Sequence, residues 1–146
     1  MSLHDLDLRN TQHLMDGIAA RTPLSDDTAL LALVDRPATA QRLLAVRRLE
    51  VPARQVEWSR ELSDLLYDEM HALAIPPRDP RIRAVVVTVL VRTGFVGWGA
   101  SEKTWALAWR YSNHNTDALD RDIIVVTEHG WASLWSYAAG RLPAVA

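Results

Sequence analysis

The chain of 146 residues contains no cysteine. Disulfide bonds, thiolate metal sites and cysteine nucleophiles are therefore excluded, and the composition fits a reducing cytoplasm. No apolar run approaches the roughly 20 residues that a membrane-spanning helix needs. The acidic N-terminus MSLHDLDLRN also lacks the apolar core of a signal peptide. We therefore expect a cytoplasmic protein that has no membrane partner.

The sequence also has no large excess of charge of either sign. The net charge is −2 and charged residues make up 23% of the chain, so nothing draws the whole molecule to nucleic acid or to an anionic membrane. The charge is nevertheless uneven. Residues 1–35 hold six aspartates against two arginines, whereas residues 36–60 hold six arginines against two glutamates. We expect these two segments to complement each other within one fold or between protomers.

Length and hydrophobic content predict a single domain over residues 1–146 with its own core. Residues 1–24 are expected to be helical or irregular, residues 28–137 to form the core, and residues 140–146 to be a tail. The alternation of strand-like and helix-like segments predicts an α/β fold, with α+β possible. Its mixed β-sheet would carry helices packed on it, in the approximate order (α)ββαβαβ.

Residues 28–51 fit either a hairpin, pairing 28–35 with 42–51, or two helices, and we favour the hairpin. SRELSDLLYDEMHALAI predicts a helix with Ser59 as its N-cap. Its core-facing residues would be Leu62, Leu65, Leu66, Met70 and Leu73. RAVVVTVLV predicts a central strand, because valine occurs on both of its faces. A second helix is expected over 101–118 with Ser101 as its N-cap, and DIIVVTEHG predicts a further strand.

The stretch GFVGWGASE follows the central strand and contains Gly94, Gly97 and Gly99. Their spacing, G-x-x-G-x-G, reverses the dinucleotide-binding pattern G-x-G-x-x-G, and the phosphate-loop spacing is absent as well. Bulky Phe95, Val96 and Trp98 fill the loop, where a phosphate cradle keeps its amides open. We therefore predict a structural turn, with Gly97 or Gly99 at positive φ and Trp98 held against the next helix, and we expect no cofactor.

Polar residues that can act as metal ligands or as acid–base groups cluster at His114, Asp117, Asp120 and Asp122. Nitrogen and oxygen ligands of this kind suit divalent metals. The spacing matches no metal signature, so we favour a solvated helix end followed by a turn. The alternative is a divalent-metal-dependent hydrolase or nuclease. In it these four residues would bind the metal, and His114 and Asp117 would be catalytic.

Five of the six tryptophans fall in the last third of the chain: Trp98, Trp105, Trp109, Trp131 and Trp135. They could line the core beside the central strand. Tryptophan is also enriched at interface hot spots, so an exposed surface for a partner or a second copy is the other interpretation. Stacking of single-stranded nucleic acid would require a basic groove beside them, and this stretch holds few basic residues.

Three strings resemble a known family: ASEKTWALAWRY, LDRDIIV and HGWASL. Together with the order of elements over residues 28–135, they resemble the JAB/MPN-type domain of RadC-like proteins. That family binds zinc through an H-x-H motif after the central strand. Here that position reads LVRTGFVGWG, and Arg121 stands where the family's strand begins with histidine. The resemblance therefore implies a scaffold that lacks the hydrolytic zinc centre.

These observations predict a non-enzymatic interaction or scaffold protein that acts through protein–protein contacts, either with a partner or as a homodimer. The five C-terminal tryptophans are the candidate interface. Besides the metal-dependent enzyme, a second alternative is nucleic-acid binding through the basic segment Arg36–Arg60. Its arginines form no single stripe in either the hairpin or the helix interpretation, so nucleic acid is not the expected partner.

Overall fold

The computed structural model describes residues 3–143. Within that part of the chain it contains a short 3-10 helix, three α-helices and six strands. In chain order these are the 3-10 helix Leu3–Leu6, α1 (Thr11–Arg21), β1 (Thr28–Asp35), β2 (Arg42–Arg48), α2 (Arg60–Ala72), β3 (Ala84–Val91), α3 (Ala100–Ser112), β4 (Ala118–Thr127), β5 (Gly130–Ser133) and β6 (Ala139–Gly140). None of the helices described is long and apolar enough to cross a membrane.

The strands form one mixed sheet in the order β2-β1-β3-β4-β5-β6. β1 pairs antiparallel with both β2 and β3. β3 and β4 are parallel, because α3 carries the chain back across the sheet between them. The remaining pairs are antiparallel. The predicted α/β class and the predicted hairpin over 28–51 are both confirmed.

The sheet has helices on both faces. Every residue of β1 and β3 is buried, as expected for central strands covered on two sides. Because side chains alternate along a strand, Leu31 and Val86 pack with α2 and α3 on one face, whereas Leu30 and Val85 pack with α1 on the other. The molecule is therefore a three-layer α/β/α arrangement.

Helix α2 begins where the sequence indicated. Ser59 precedes it, and the Ser59 hydroxyl accepts a hydrogen bond from the backbone N–H of Leu62 at 3.2 Å. Of the predicted core-facing residues, Leu62, Leu66 and Met70 are buried, and Leu65 and Leu73 are half-buried against the same cluster.

Three predicted boundaries are wrong. The helix expected over 101–118 ends at Ser112, because Asn113 adopts a left-handed backbone conformation with φ 48°. Its N-cap is Gly99 rather than Ser101, whose hydroxyl instead donates to the carbonyl of Ala53. The predicted tail also starts too early, since Ala139–Gly140 pairs with β5. Residues 1–2 of the predicted N-terminal segment and 144–146 of the tail lie outside the described residues.

Candidate functional site

A pocket in the described part of the chain lies beside α3, over strands β4 and β5. The chain turns from β4 directly into β5 without an intervening helix, so this region of the sheet borders a pocket of about 1010 Å³. Its walls come from the glycine-containing loop after β3, from one side of α3, and from the segment 132–139. Ile123, Ala132 and Leu134 contribute apolar lining.

Aromatic side chains dominate the rim of this pocket. Trp98 is 44% exposed, Trp135 is 62% exposed and Tyr137 is 89% exposed. Trp109, which is buried in the core, also contributes to the lining. We call these four residues together with the apolar lining the aromatic pocket. Large aromatic side chains exposed around one concavity are typical of a binding surface.

An ion pair between Arg92 and Glu102 shapes the loop that forms one wall. The Arg92 guanidinium donates to the Glu102 carboxylate and also to the backbone carbonyls of Phe95 and Gly97, at 2.7 and 3.0 Å. The Glu102 side chain is 1% exposed and that of Arg92 is 12% exposed. Because one buried guanidinium binds both the start of α3 and the loop carbonyls, the segment that carries Trp98 is fixed to the helix.

The glycine loop is a turn that ends the central strand, but the position at positive φ differs from the prediction. Gly94 has φ 104°, whereas Gly97 is not in the left-handed region and Gly99 is extended. The amide of Gly99 donates to Glu102 Oε1 at 3.0 Å. A carboxylate of the protein itself therefore lies at the N-terminus of α3, where a phosphate would bind in a nucleotide-binding loop.

A β-bulge on β4 brings three charged residues to the aromatic pocket. Asp120 is opposite Val86 and Asp122 is opposite Val87, so Arg121 is the extra residue between them. All three charged side chains line the pocket. A bulge changes the direction in which side chains leave a strand, so the clustering depends on this irregularity in the register.

Asp122 is tied to the segment that follows it. Its carboxylate accepts hydrogen bonds from the Ser133 hydroxyl at 2.7 Å and from the backbone amides of Ile123 and Trp135. Burial raises the pKa of Asp122 above its ordinary value, and the hydrogen bonds from Ser133, Trp135 and Ile123 partly oppose that rise. The carboxylate thus anchors the turn that presents Trp135 to the pocket.

Arg121 is held between a carboxylate and an indole. Its guanidinium forms an ion pair with Asp7 and lies 4.9 Å from the ring centroid of Trp135, within the range of a cation–π contact. Its Nε is buried and has no hydrogen-bond partner among the residues that the structure describes. An unpaired buried donor of this kind is uncommon in folded proteins.

The structure does not assemble the four-residue metal site considered from the sequence. His114 is buried and its Nε2 lies 2.7 Å from Asp120 Oδ1, whereas its Nδ1 lies 2.9 Å from Thr116 Oγ1. Asp117 pairs with Arg78 outside this contact, and Asp122 binds Ser133. Within residues 3–143, no group of three or more histidine or acidic side chains could hold a metal ion. The polar cluster is therefore divided among separate local contacts.

Three of the five candidate interface tryptophans belong to the core, which corrects that part of the prediction. Trp105, Trp109 and Trp131 are 0%, 5% and 3% exposed. Each buried indole N–H has an acceptor: the carbonyl of Ala53, the Thr88 hydroxyl and the Gln12 side chain, respectively. Only Trp98 and Trp135 of the five are available at the surface.

The arginines of the basic segment are partly used within the fold. Arg47 pairs with Glu69 on α2, and Arg54 contacts Asp26 and Asp27 at 3.1 and 3.4 Å. The Arg54 contacts join the basic segment to the acidic one. This agrees with the expectation that the two segments complement each other within one fold. Arg42 and Arg48 are exposed on the edge strand β2, where charged side chains discourage strand addition.

Sequence reasoning missed the Arg92–Glu102 pair and Tyr137. Glu102 had a signal, because a glutamate three positions after the N-cap is typical of a helix start, where its carboxylate accepts from the N-cap amide. Arg92 had none, since its acceptors are loop carbonyls whose positions depend on the folded turn. Tyr137 follows β5 and has a left-handed backbone conformation, with φ 62°, which no residue pattern in its neighbourhood predicts.

Comparison with known proteins adds no assignment to this geometry: neither a protein-family model nor a curated protein nor a solved structure matches the chain.

Proposed function

We propose that this protein is a non-enzymatic interaction domain that binds a segment of a partner protein in the aromatic pocket. One observation carries the proposal. Trp98 and Trp135, which come from different parts of the chain, are both exposed and both border the same pocket, whereas the other tryptophans beside the sheet are buried with their N–H groups paired.

The size and lining of the pocket favour a polypeptide segment as its occupant. A volume of about 1010 Å³ lies at the upper end of the range that small-molecule pockets occupy, roughly 300–1,000 Å³. Aromatic side chains are the residues that most often dominate the energy of protein–protein contacts. A peptide also supplies carbonyl oxygens, which are acceptors of the kind that the Arg121 Nε–H lacks within the described residues.

The contacts of the polar residues support binding rather than catalysis. Asp122 already accepts three hydrogen bonds that hold the turn after it. His114 has one ring nitrogen on Asp120 and the other on Thr116. Each group therefore has a structural role beside the pocket. The resemblance to RadC-like proteins stays a prediction, and the proposal does not depend on it.

A library of short random peptides displayed on phage tests the proposal without knowledge of the natural partner. Selection is run in parallel on the parent protein and on the double variant Trp98→Ala, Trp135→Ala. We expect peptides that are enriched only on the parent. Resynthesised peptides should bind each single variant at least about 30-fold more weakly, as expected for removal of a hot-spot tryptophan.

The matched control is Tyr67→Ala on α2, because Tyr67 is 43% exposed but does not line the pocket. This variant should bind the selected peptides as the parent does, and circular dichroism should show all variants folded. If the double variant enriches the same peptides as the parent, or if the parent enriches none, the proposal is wrong.

A further inference from the structure

We propose that the segment bound in the aromatic pocket carries an arginine or lysine side chain, which pairs with Asp120 and lies against the rim tryptophans. This inference rests on the proposed function, and it names the chemistry of the partner at that same site. The occupant is a basic segment of another protein rather than a nucleic acid, a membrane or a second copy of this chain.

The balance of charge in the pocket favours a cation. Its lining contains the carboxylates Asp120 and Asp122 against one guanidinium, that of Arg121. That guanidinium is already paired with Asp7 and stacked on Trp135. Its positive charge is therefore largely matched inside the protein, and the lining retains carboxylate character toward an incoming ligand.

Asp120 is the carboxylate that a ligand can reach. Its side chain is 34% exposed, and within the described residues His114 is its one hydrogen-bond donor, at Oδ1. A carboxylate can accept at both oxygens, so Asp120 retains capacity for a charged donor. Asp122, in contrast, already accepts from Ser133 and two backbone amides.

The aromatic rim supplies the second half of the recognition. The face of an indole attracts cations, and arginine in particular stacks on it. The protein already contains one such contact in the Arg121–Trp135 stack. Trp98 has no equivalent cation among the contacts described, and it is 44% exposed beside the same pocket. A basic side chain that reaches Asp120 would cover apolar surface of the pocket with its hydrocarbon stem.

The test uses the peptides obtained from the displayed library. We expect a shared arginine or lysine among the peptides enriched on the parent protein. Replacing that residue by glutamine should weaken binding to the parent by about tenfold or more, because both the ion pair and the cation–π contact are lost. On Asp120→Asn the original peptide should lose affinity, and the penalty for the glutamine peptide should shrink.

Asp117→Asn is the matched control, since Asp117 lies three positions before Asp120 but pairs with Arg78 and does not line the pocket. On this variant the arginine and glutamine peptides should differ as they do on the parent, within a factor of about 2. The interaction energy from this double-mutant cycle separates a direct contact from a general loss of fold, which circular dichroism monitors independently.

The outcomes separate the two proposals. Peptides that require Trp98 and Trp135 but lack a shared basic residue would leave the proposed function intact and overturn the inference. The same holds if Asp120→Asn leaves the glutamine penalty unchanged. Light scattering tests whether a second copy of this chain is the occupant. If the parent is a dimer and Trp98→Ala dissociates it, a second copy fills the pocket and the inference is wrong.

Discussion

The guanidinium of Arg92 donates to both oxygens of the Glu102 carboxylate, at 2.8 Å to Oε1 and 3.2 Å to Oε2. The same carboxylate accepts from the amide of Gly99, and the same guanidinium binds two loop carbonyls. The pair thus connects the C-terminal end of β3, the glycine-containing loop and the first turn of α3. Its burial makes it sensitive to the loss of either partner.

Replacement of Arg92 by methionine should destabilise the protein strongly. Glu102 is 1% exposed and would be left as a buried carboxylate without its cation, which typically costs about 3–5 kcal/mol. The double variant Arg92→Met, Glu102→Gln should recover part of that loss because no uncompensated charge remains. Chemical denaturation followed by circular dichroism measures the free energy of unfolding of each variant.

Arg78→Met is the control for this experiment. Arg78 pairs with Asp117 at 2.8 Å, but both side chains are more than 40% exposed, so its loss should change the free energy of unfolding by less than about 1 kcal/mol. Equal effects of Arg92→Met and Arg78→Met would contradict a structural role for the buried pair.

Among the glycines of the loop, Gly94 should be the most sensitive to alanine. Its φ of 104° is strained for any residue with a Cβ, although no atom lies within 4 Å of the added group. The expected cost is on the order of 1 kcal/mol or more. A Cβ added at Gly97 would meet only the end of the exposed Phe95 side chain. Gly99 has an extended backbone, and a Cβ added there would lie 3.2 Å from Glu102 Oε1.

Thermal unfolding of the three alanine variants ranks these costs, with Gly94→Ala expected to have the lowest midpoint. The same measurement is repeated on the parent with ATP, NAD and inorganic phosphate. Because Glu102 already accepts from the Gly99 amide, none of the three should raise the midpoint. A rise of several degrees that the glycine variants abolish would mean that the loop binds phosphate.

Two aspartates should give opposite pH dependences of stability. Burial raises the pKa of Asp122, so the folded state holds its proton more tightly than the unfolded state does. Its contribution is therefore most favourable below the unfolded pKa, near 3.9, and is lost as pH rises through the folded pKa. Asp122→Asn should remove this dependence and should gain relative to the parent as pH rises toward neutral.

Asp35 behaves in the other direction. The hydrogen bonds from Arg83, at 2.6 and 2.8 Å, lower the pKa of Asp35, whose side chain is 3% exposed. Its contribution is present above the unfolded pKa and is lost as pH falls through the folded pKa. Asp35→Asn should therefore be destabilised at neutral pH and approach the parent in acid. Denaturation curves from pH 3 to pH 8 that show the same trend for both variants would contradict the assignment.

The fold was largely predictable because its signals are local. The valine-rich run of β3 and the helical spacing of Leu62, Leu66 and Met70 each lie within one element, so the sequence carries them directly. The alternation of side chains over 28–51 was also enough to favour the hairpin. The end of α3 was missed because Asn113 takes a left-handed conformation that its sequence context permits but does not require.

The site was less predictable because it depends on distant contacts. Trp105 and Trp131 look like Trp98 and Trp135 in a list of residues, and only the folded sheet decides which of them are covered. The bulge that brings Arg121 to the pocket is a shift in pairing between β3 and β4. Such a register is set by the packing of both strands, and no residue type near Arg121 predicts the bulge.

The final prediction separates core from surface tryptophan. Trp105 is fully buried, and its N–H donates to the Ala53 carbonyl at 2.8 Å. Trp105→Ala should therefore cost about 3–5 kcal/mol, chiefly from the cavity that the indole leaves. Trp98→Ala removes a side chain that is 44% exposed and should cost much less, about 1 kcal/mol.

Acrylamide quenching of tryptophan fluorescence provides a measurement that does not depend on unfolding. Trp98→Phe and Trp135→Phe should each reduce the fraction of emission that the quencher reaches, because both indoles are exposed at the pocket. Trp131→Phe should instead raise that fraction, because it removes an indole that is 3% exposed and bonded to Gln12 and that the quencher does not reach. If Trp98→Phe and Trp131→Phe change the accessible fraction in the same direction, the two tryptophans do not differ in solvent exposure. The aromatic pocket would then lose the observation on which its proposed function depends.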